Sequence, residues 1–291
     1  MLFSAALAFT LALALSLSIR RLSLGAGVVD IPDFCRKLNT SPIPRLGGVA
    51  FFLAYFTSLA VMGAMSEGLS ALDSTLIFSG GLSLLFGAAD DFFDLSPLEK
   101  LALQLLCASS ALLLLPMRYP TALSLLFIIL MMNAYNFIDG LDGLATSLSL
   151  SSLLFISLSC LLFLNTGMGV SPILLFFALL GFLPLNAHPA SLYMGETGSS
   201  TLGLTIALIT LTLPPPTALL SLAFSLIPII DTLLAVPRRL FAGRSPFLAD
   251  RGHIHHRLLD LGVSQVAATT ILLILSIALS ATSLAVVLII K

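Results

Sequence analysis

Carboxylates and carboxamides gather in three short runs of this sequence, each at the edge of an apolar stretch. The first is Asp90-Asp91-Phe92-Phe93-Asp94. Neighbouring acids repel one another, and acids at a helix C-terminus oppose the helix dipole. Unless it is a solvated acidic turn, such a triplet calls for a divalent cation or a proton transfer. Lys100, at the start of the next apolar stretch, is either a topology anchor or a phosphate contact. The second run is Asn133-Ala-Tyr-Asn136-Phe-Ile-Asp139-Gly-Leu-Asp142-Gly143. Asn133 and Asn136 can share one helical face, and Gly140 and Gly143 let the backbone turn and approach a ligand. Amide and carboxylate oxygens suit a hard cation such as Mg²⁺, and carboxylates accept hydrogen bonds from a nucleobase. The third run is Met194-Gly195-Glu196-Thr197-Gly198-Ser199-Ser200. Its hydroxyls can cap a helix, and backbone amides at a helix start favour phosphate. It lacks the lysine of a P-loop and has no parallel sheet around it, so that reading is rejected.

Basic residues accompany these acids. The segment 236–264 holds Arg238-Arg239, Arg244, Asp250-Arg251 and His253-Ile-His255-His256-Arg257. Some of its arginines suit anionic lipid headgroups. Zinc is a poor reading of the histidines, because adjacent His255 and His256 would rarely point at one ion; donation to phosphate oxygens fits better. Arg36-Lys37 and Pro42-Ile-Pro44-Arg45-Leu-Gly-Gly48 form a basic, proline-stiffened entry to an apolar stretch, for which an anchor role would suffice. Asp231 lies inside an apolar span, where an ionisable side chain is a functional candidate by default and an arginine partner the plainer alternative.

Apolar membrane helices must carry these groups. Of 291 residues, 58% are apolar and 9% charged, with a mean hydropathy of +1.11. Water-soluble domains are about a quarter charged, so an ordinary soluble enzyme, a disordered tail and a disulfide scaffold are excluded. The three cysteines, Cys35, Cys107 and Cys160, are far apart and suggest neither metal nor disulfide. The patterning predicts an all-α, polytopic integral membrane protein of about ten transmembrane helices in one domain, 1–291. The spans run approximately 1–19, 46–66, 74–89, 101–117, 121–136, 147–164, 172–186, 201–213, 217–235 and 265–290, with 236–264 a cytoplasmic loop. Arg20-Arg21 follow the first span rather than precede it, so it reads as a retained helix with its N-terminus outside. An even number of spans puts the C-terminus outside too. All basic residues except Arg118 and Lys291 then fall in cytoplasmic segments, as do all four histidines. Every acid except Glu67 and Asp73 lies in or next to those segments. The active site is therefore expected on the cytoplasmic face.

Five ordered motifs carry a resemblance: PIPRLGG at 42–48, DDFFD at 90–94 with Lys100 and Gln104, NAYNFIDGLDGLA at 133–145, MGETGSSTLG at 194–203 and GRSPFLADRGHIHHRL at 243–258. Together they resemble the polyprenyl-phosphate N-acetylhexosamine-1-phosphate transferase family, glycosyltransferase family 4. PRLGG and HIHHRL are most similar to its undecaprenyl-phosphate GlcNAc-1-phosphate transferase branch. The resemblance implies a Mg²⁺-dependent enzyme, with Mn²⁺ an alternative, that takes a UDP-sugar and undecaprenyl phosphate and makes no use of nucleic acid. It implies a multi-pass protein of the inner (plasma) membrane that starts a cell-envelope polysaccharide, with a homodimer as the family's state. By resemblance, Asp90 and Asp91 are the catalytic acids, Asn136 and Glu196 the metal ligands, and Asp139, Asp142 and Asn133 the nucleotide-sugar side. Lys100, Arg45, Arg239, His253, His255 and His256 are then the phosphate contacts. Glu196 departs from the family's usual Asp, and Mg²⁺ tolerates geometric error poorly. The phospho-N-acetylmuramoyl-pentapeptide branch reads differently at two of the motifs. An ion-coupled transporter would hold its polar groups at mid-membrane in repeated halves, and no repeat is present.

Overall fold

The computed structural model describes residues 1–31, 41–115, 118–164, 169–241, 243 and 252–290. Arg36, Lys37, Cys35, Arg244, Asp250, Arg251 and Lys291, weighed above, lie outside the described residues. The chain is a helical bundle. Its helices are α1 (Leu2–Ala26), α2 (Gly47–Ala64), α3 (Ala71–Phe93), α4 (Pro97–Leu114), α5 (Thr121–Ile138), α6 (Leu144–Phe163), α7 (Val170–Asn186), α8 (Gly195–Thr212), α9 (Pro215–Phe224), α10 (Leu226–Phe241), α11 (Ile254–Asp260) and α12 (Gln265–Ile290). Between α1 and α2, the two-residue strands β1 (Val29–Asp30) and β2 (Ile43–Pro44) pair antiparallel, Val29 opposite Pro44.

Nine of the ten predicted spans each overlie one helix and the ninth in chain order overlies two, α9 and α10, so the protein is all-α in its membrane part. Length and apolarity alone qualify seven helices to cross a membrane, or up to eight if α9 and α10 count as one bent span. The shortfall has local causes. α7 is apolar but has only 17 residues, and the first two turns of α8 are polar. The predicted ninth span is broken, with α9 and α10 meeting at 73°. Pro228 lacks the N–H that would bond the carbonyl four residues back, which is that of Phe224. That carbonyl instead accepts from Ser152 Oγ at 2.7 Å, and Ser225 Oγ lies 3.1 Å from the Tyr135 hydroxyl. The segment 236–264 is not all loop, since α10 continues to Phe241 and α11 lies within it.

Sequence signals fix several helix starts. Ser70 with Asp73 and Ser96 with Glu99 form reciprocal capping boxes at α3 and α4, and Pro97 occupies the first turn of α4. α8 is the central helix, buried without a break from Thr197 to Leu211 and packed chiefly between α3 and α5. Lipid gives no hydrophobic drive for helix association, so small residues that let backbones touch do that work. A Cβ on Gly203 would meet the Met131 carbonyl oxygen at 2.2 Å, and one on Gly48 the Gly198 nitrogen at 2.2 Å. Large apolar side chains such as Leu85, Leu113, Leu126, Leu161 and Ile274 point outward around the bundle, as lipid contact requires.

Ends of helices far apart in the chain gather at one rim. The end of α3, the start of α4, the end of α5 and the starts of α8 and α12 all meet there. That convergence positions the site.

Candidate active site

The rim holds a cleft of about 400 Å³. Asp30, Arg45, Asp91, Asn136, Asp139, Asp142, Tyr193, Glu196, Ser199, His256 and Gln265 line it. Residues more than 200 positions apart in sequence thus face one space.

Asp91 closes the last turn of α3 and is buried. One carboxylate oxygen accepts the Glu196 N–H at 3.1 Å; the other accepts the Thr197 N–H at 3.0 Å and its hydroxyl at 2.5 Å. Asp91 is therefore the N-terminal cap of α8, supplied by another helix, with its negative charge at the positive end of the α8 dipole. The hydroxyls expected to cap α8 do not do so. The amides expected to cradle phosphate are taken: Glu196 and Thr197 give theirs to Asp91, and Gly198 gives its own to the Met194 carbonyl. Gly195 has φ +71°, and a Cβ there would fall 2.5 Å from Asp91 Oδ2, so only glycine fits.

Asp90 turns the other way, into a small satellite pocket also lined by Lys100, Gln104 and Glu196. Its Oδ1 accepts the Leu95 N–H at 2.7 Å and its Oδ2 pairs with Lys100 Nζ at 2.7 Å. Lys100 Nζ also reaches Glu196 Oε1 at 2.9 Å. One ammonium thus bridges two carboxylates, and Glu196 belongs to both pockets.

The predicted nucleotide-side residues separate. Asn136 donates to Ser199 Oγ at 3.2 Å and lines the cleft with Asp139 and Asp142. Asn133 does not join them. Its Nδ2 donates to Gln104 Oε1 at 2.9 Å and to the Ile129 carbonyl at 2.8 Å. Three residues advance an α-helix by less than a full turn, so Asn136 faces α8 while Asn133 faces α4. Asp142 Oδ2 accepts the Ala190 N–H at 3.1 Å and lies 2.8 Å from His188 Nδ1. Among the described residues, the Asp139 side chain has no hydrogen-bond donor. Withdrawal from water, then the carboxylates of Glu196, Asp91 and Asp142, push it up to about 8.

The predicted phosphate contacts separate too. Arg45 lines the cleft, pairs with Asp30 across the β1–β2 ladder, and has Asp94 Oδ1 at 3.8 Å from Nη1. Burial works against its charge, but the Asp30 bond and the carboxylates of Asp30, Asp91 and Asp94 outweigh it and hold it above the ordinary arginine range. His256 lines the cleft; His253, His255 and Arg239 do not. These three are buried behind it. Arg239 lies over the Phe137 ring at 5.5 Å, and His253 pairs with Asp231 at 2.8 Å. His255 packs on Gly140, where a Cβ would meet its Nε2 at 2.2 Å. His253 precedes a short helix that carries His255 and His256, and the three rings lie side by side with only His256 lining the cleft. Lys100 stands beside the cleft through Glu196.

Asp30, Tyr193 and Gln265 line the cleft without having been singled out in the sequence, and Ser199, read there only as a capping hydroxyl, lines it too. His188, counted in the sequence only as one of four histidines on the polar face, lies against Asp142 beside the cleft.

The donor set fits a hard cation. Five carboxylates, those of Asp30, Asp91, Asp139, Asp142 and Glu196, line one cleft with Arg45, and Asp139 has no counter-ion of its own. Among the described residues, no three His, Cys, Asp or Glu side chains are grouped to enclose a metal alone. A hard cation held at this cleft would therefore need water or substrate oxygens to complete its shell.

An apolar helix bundle with an acid-lined cleft at one rim is the architecture of a membrane enzyme working where lipid meets water. Residues 74–214 match the family described as Glycosyl transferase family 4. The chain is 31% identical to the decaprenyl-phosphate N-acetylglucosaminephosphotransferase of Mycolicibacterium smegmatis, over 87% of this chain and 74% of that protein. It is 33% identical to the probable undecaprenyl-phosphate N-acetylglucosaminyl 1-phosphate transferase of Bacillus subtilis, over 84% of this chain and 74% of the relative. It is 28% identical to the undecaprenyl-phosphate alpha-N-acetylglucosaminyl 1-phosphate transferase of Escherichia coli, over 84% and 72%. The chain belongs to glycosyl transferase family 4.

Proposed function

We propose that this protein transfers N-acetylglucosamine-1-phosphate from UDP-N-acetylglucosamine to undecaprenyl phosphate. The products are the lipid-linked sugar diphosphate and UMP, the first step toward a cell-envelope polysaccharide. The names of the relatives support the reaction. The observation that carries it is the gathering of Asp91, Asn136, Asp139, Asp142 and Glu196 around one cleft at the rim of an apolar bundle. A polyprenyl phosphate keeps its head at that depth, and a nucleotide sugar arrives from water. The basic residues collect toward the same end, so the reading assigns the cleft to the cytoplasmic side of the plasma membrane.

A phosphate oxygen of the lipid attacks the β-phosphorus of the UDP-sugar. The bond between that phosphorus and the bridging oxygen breaks, and its electron pair leaves with UMP. The lipid phosphate is already an anion, so direct displacement needs alignment rather than a covalent enzyme intermediate. Phosphoryl transfer depends mostly on positioning and on neutralised charge. Arg45 and His256 face the cleft as donors to phosphate oxygens, and Asp139 and Asp142 face it as acceptors for the nucleoside. Asn136 and Glu196, with Asp139 beside them, would hold Mg²⁺. Bound there, the ion would offset the charge of two phosphate-bearing substrates. Asp91 holds the start of α8, and with it Glu196, in place.

Purified protein in detergent or nanodiscs should release UMP from UDP-N-acetylglucosamine only with undecaprenyl phosphate and Mg²⁺ both present, and should stop on chelation. A panel of UDP-sugars tests the donor. No UMP from any UDP-N-acetylhexosamine, or UMP only from UDP-N-acetylmuramoyl-pentapeptide, would sink the proposal.

A further inference from the structure

Asp231 lines no part of the cleft, yet it is a carboxylate 6% exposed within the bent α9–α10 span. Such a group is costly in a membrane helix unless it has work to do. Its two oxygens hold one neighbour, α11. Oδ1 accepts the Ile254 N–H, the first of that helix, at 2.9 Å, and Oδ2 lies 2.8 Å from His253 Nδ1. A carboxylate only accepts, so Nδ1 is the donor in this bond. α11 has seven residues, too few to hold itself by its own hydrogen bonds. From His253 the contacts run inward. Its ring lies 5.3 Å from Phe137 and stacks on His255 at 5.9 Å, with planes 8° apart. His255 abuts Gly140 and lies 4.3 Å from His256, ring to ring. His256 faces the cleft. Asp231 is thus connected to the cleft through one tethered turn of helix.

We infer that Asp231 is a positioning residue: with His253 it seats α11, which holds His256 at the cleft wall and His255 against the Gly140 turn. His253 then serves the site by its bond to Asp231 rather than by touching phosphate. The inference rests on the transferase reading above, and it separates from that reading by experiment.

Asp231→Asn keeps an oxygen for the Ile254 N–H but loses the carboxylate that His253 Nδ1 faces. It should leave the melting temperature close to wild type and the KM for UDP-N-acetylglucosamine nearly unchanged, while kcat for UMP release falls about tenfold to a hundredfold. Because Asp231 acts through His256, the same substitution should cost little more in a His256→Ala background. His253→Asn, which offers a donor near the Nδ1 position, should retain more activity than His253→Ala. Wild-type kcat in Asp231→Asn, or fully additive losses in the double variant, overturns the inference. Should Asp231→Asn fail to fold, equal activities of His253→Asn and His253→Ala overturn it. Amide exchange at 254–260 provides a readout independent of turnover. His253→Ala should speed it about tenfold or more, and unchanged protection overturns the inference. Absence of UMP release by the wild type, with that exchange response intact, would sink the transferase reading alone.

Discussion

The Asp91 carboxylate and the Thr197 N–H are 3.0 Å apart across 106 positions of chain, and through that bond the end of α3 caps the start of α8. One acid of the DDFFD run therefore positions the loop that carries Glu196. Asp91→Asn removes an acceptor that serves both the Thr197 amide and its hydroxyl. Stability should fall by about 1–3 kcal/mol, and UMP release about a hundredfold or more as the α8 start shifts. Thermal unfolding and turnover measured on one preparation test this, and normal turnover would contradict it.

Lys100→Met should leave the Asp90 side chain, 6% exposed, without the ammonium it shares with Glu196. The Lys100 side chain is 34% exposed. Water then takes up part of the loss, and the cost should be about 1–3 kcal/mol rather than the full penalty of a sealed ion pair. Turnover should fall as well. A charge-preserving Lys100→Arg, whose planar fork does not copy the ammonium, should rescue stability more than turnover. Equal recovery of both would argue against a role beyond the ion pair.

Glu196→Gln removes the charge of the predicted metal ligand and keeps its size. The Mg²⁺ concentration giving half-maximal UMP release should rise about tenfold. An unchanged Mg²⁺ titration would remove Glu196 from the metal site.

Gly203→Ala puts a methyl group 2.2 Å from the Met131 carbonyl oxygen, where neither backbone can yield without parting α8 from α5. The cost should be at least about 1–3 kcal/mol, read as a lower melting temperature in detergent. Gly81→Ala, with open space around it, is the control and should change little.

Burial, followed by the neighbouring His256, pushes His255 down to about 3. The unfolded chain takes up its proton near the ordinary histidine value of about 6.5, while the folded protein resists. Stability from this group is therefore complete above that value and drains as pH falls from there toward 3. Thermal unfolding between pH 7 and pH 4 should show the decline, and His255→Gln should flatten it. Parallel curves for the two proteins would refute the assignment.

Much of the site was legible because its motifs end apolar stretches. Asp91, Asn136, Asp139, Asp142 and Glu196 all sit where hydropathy changes, and all line the cleft. Asn133 shows the limit of such reasoning. Its spacing from Asn136 suggests a common target, yet its amide is spent on Gln104. Asp30 shows the converse. It stands in an unremarkable stretch, and only the pairing of β1 with β2 brings it to Arg45.

Composition and hydropathy, by themselves, determined a helical membrane protein with its chemistry at one end. Lipid offers backbone groups no partners, so long apolar runs have to become helices, and alternating helices have to return their polar ends to the same rim. The sharing of roles at that rim was decided by tertiary structure alone. Whether a carboxylate caps a helix, pairs with a lysine or faces a cleft depends on which atoms lie within about 3 Å of it. Those atoms belong to helices whose packing is set by glycines and close contacts far away in the chain.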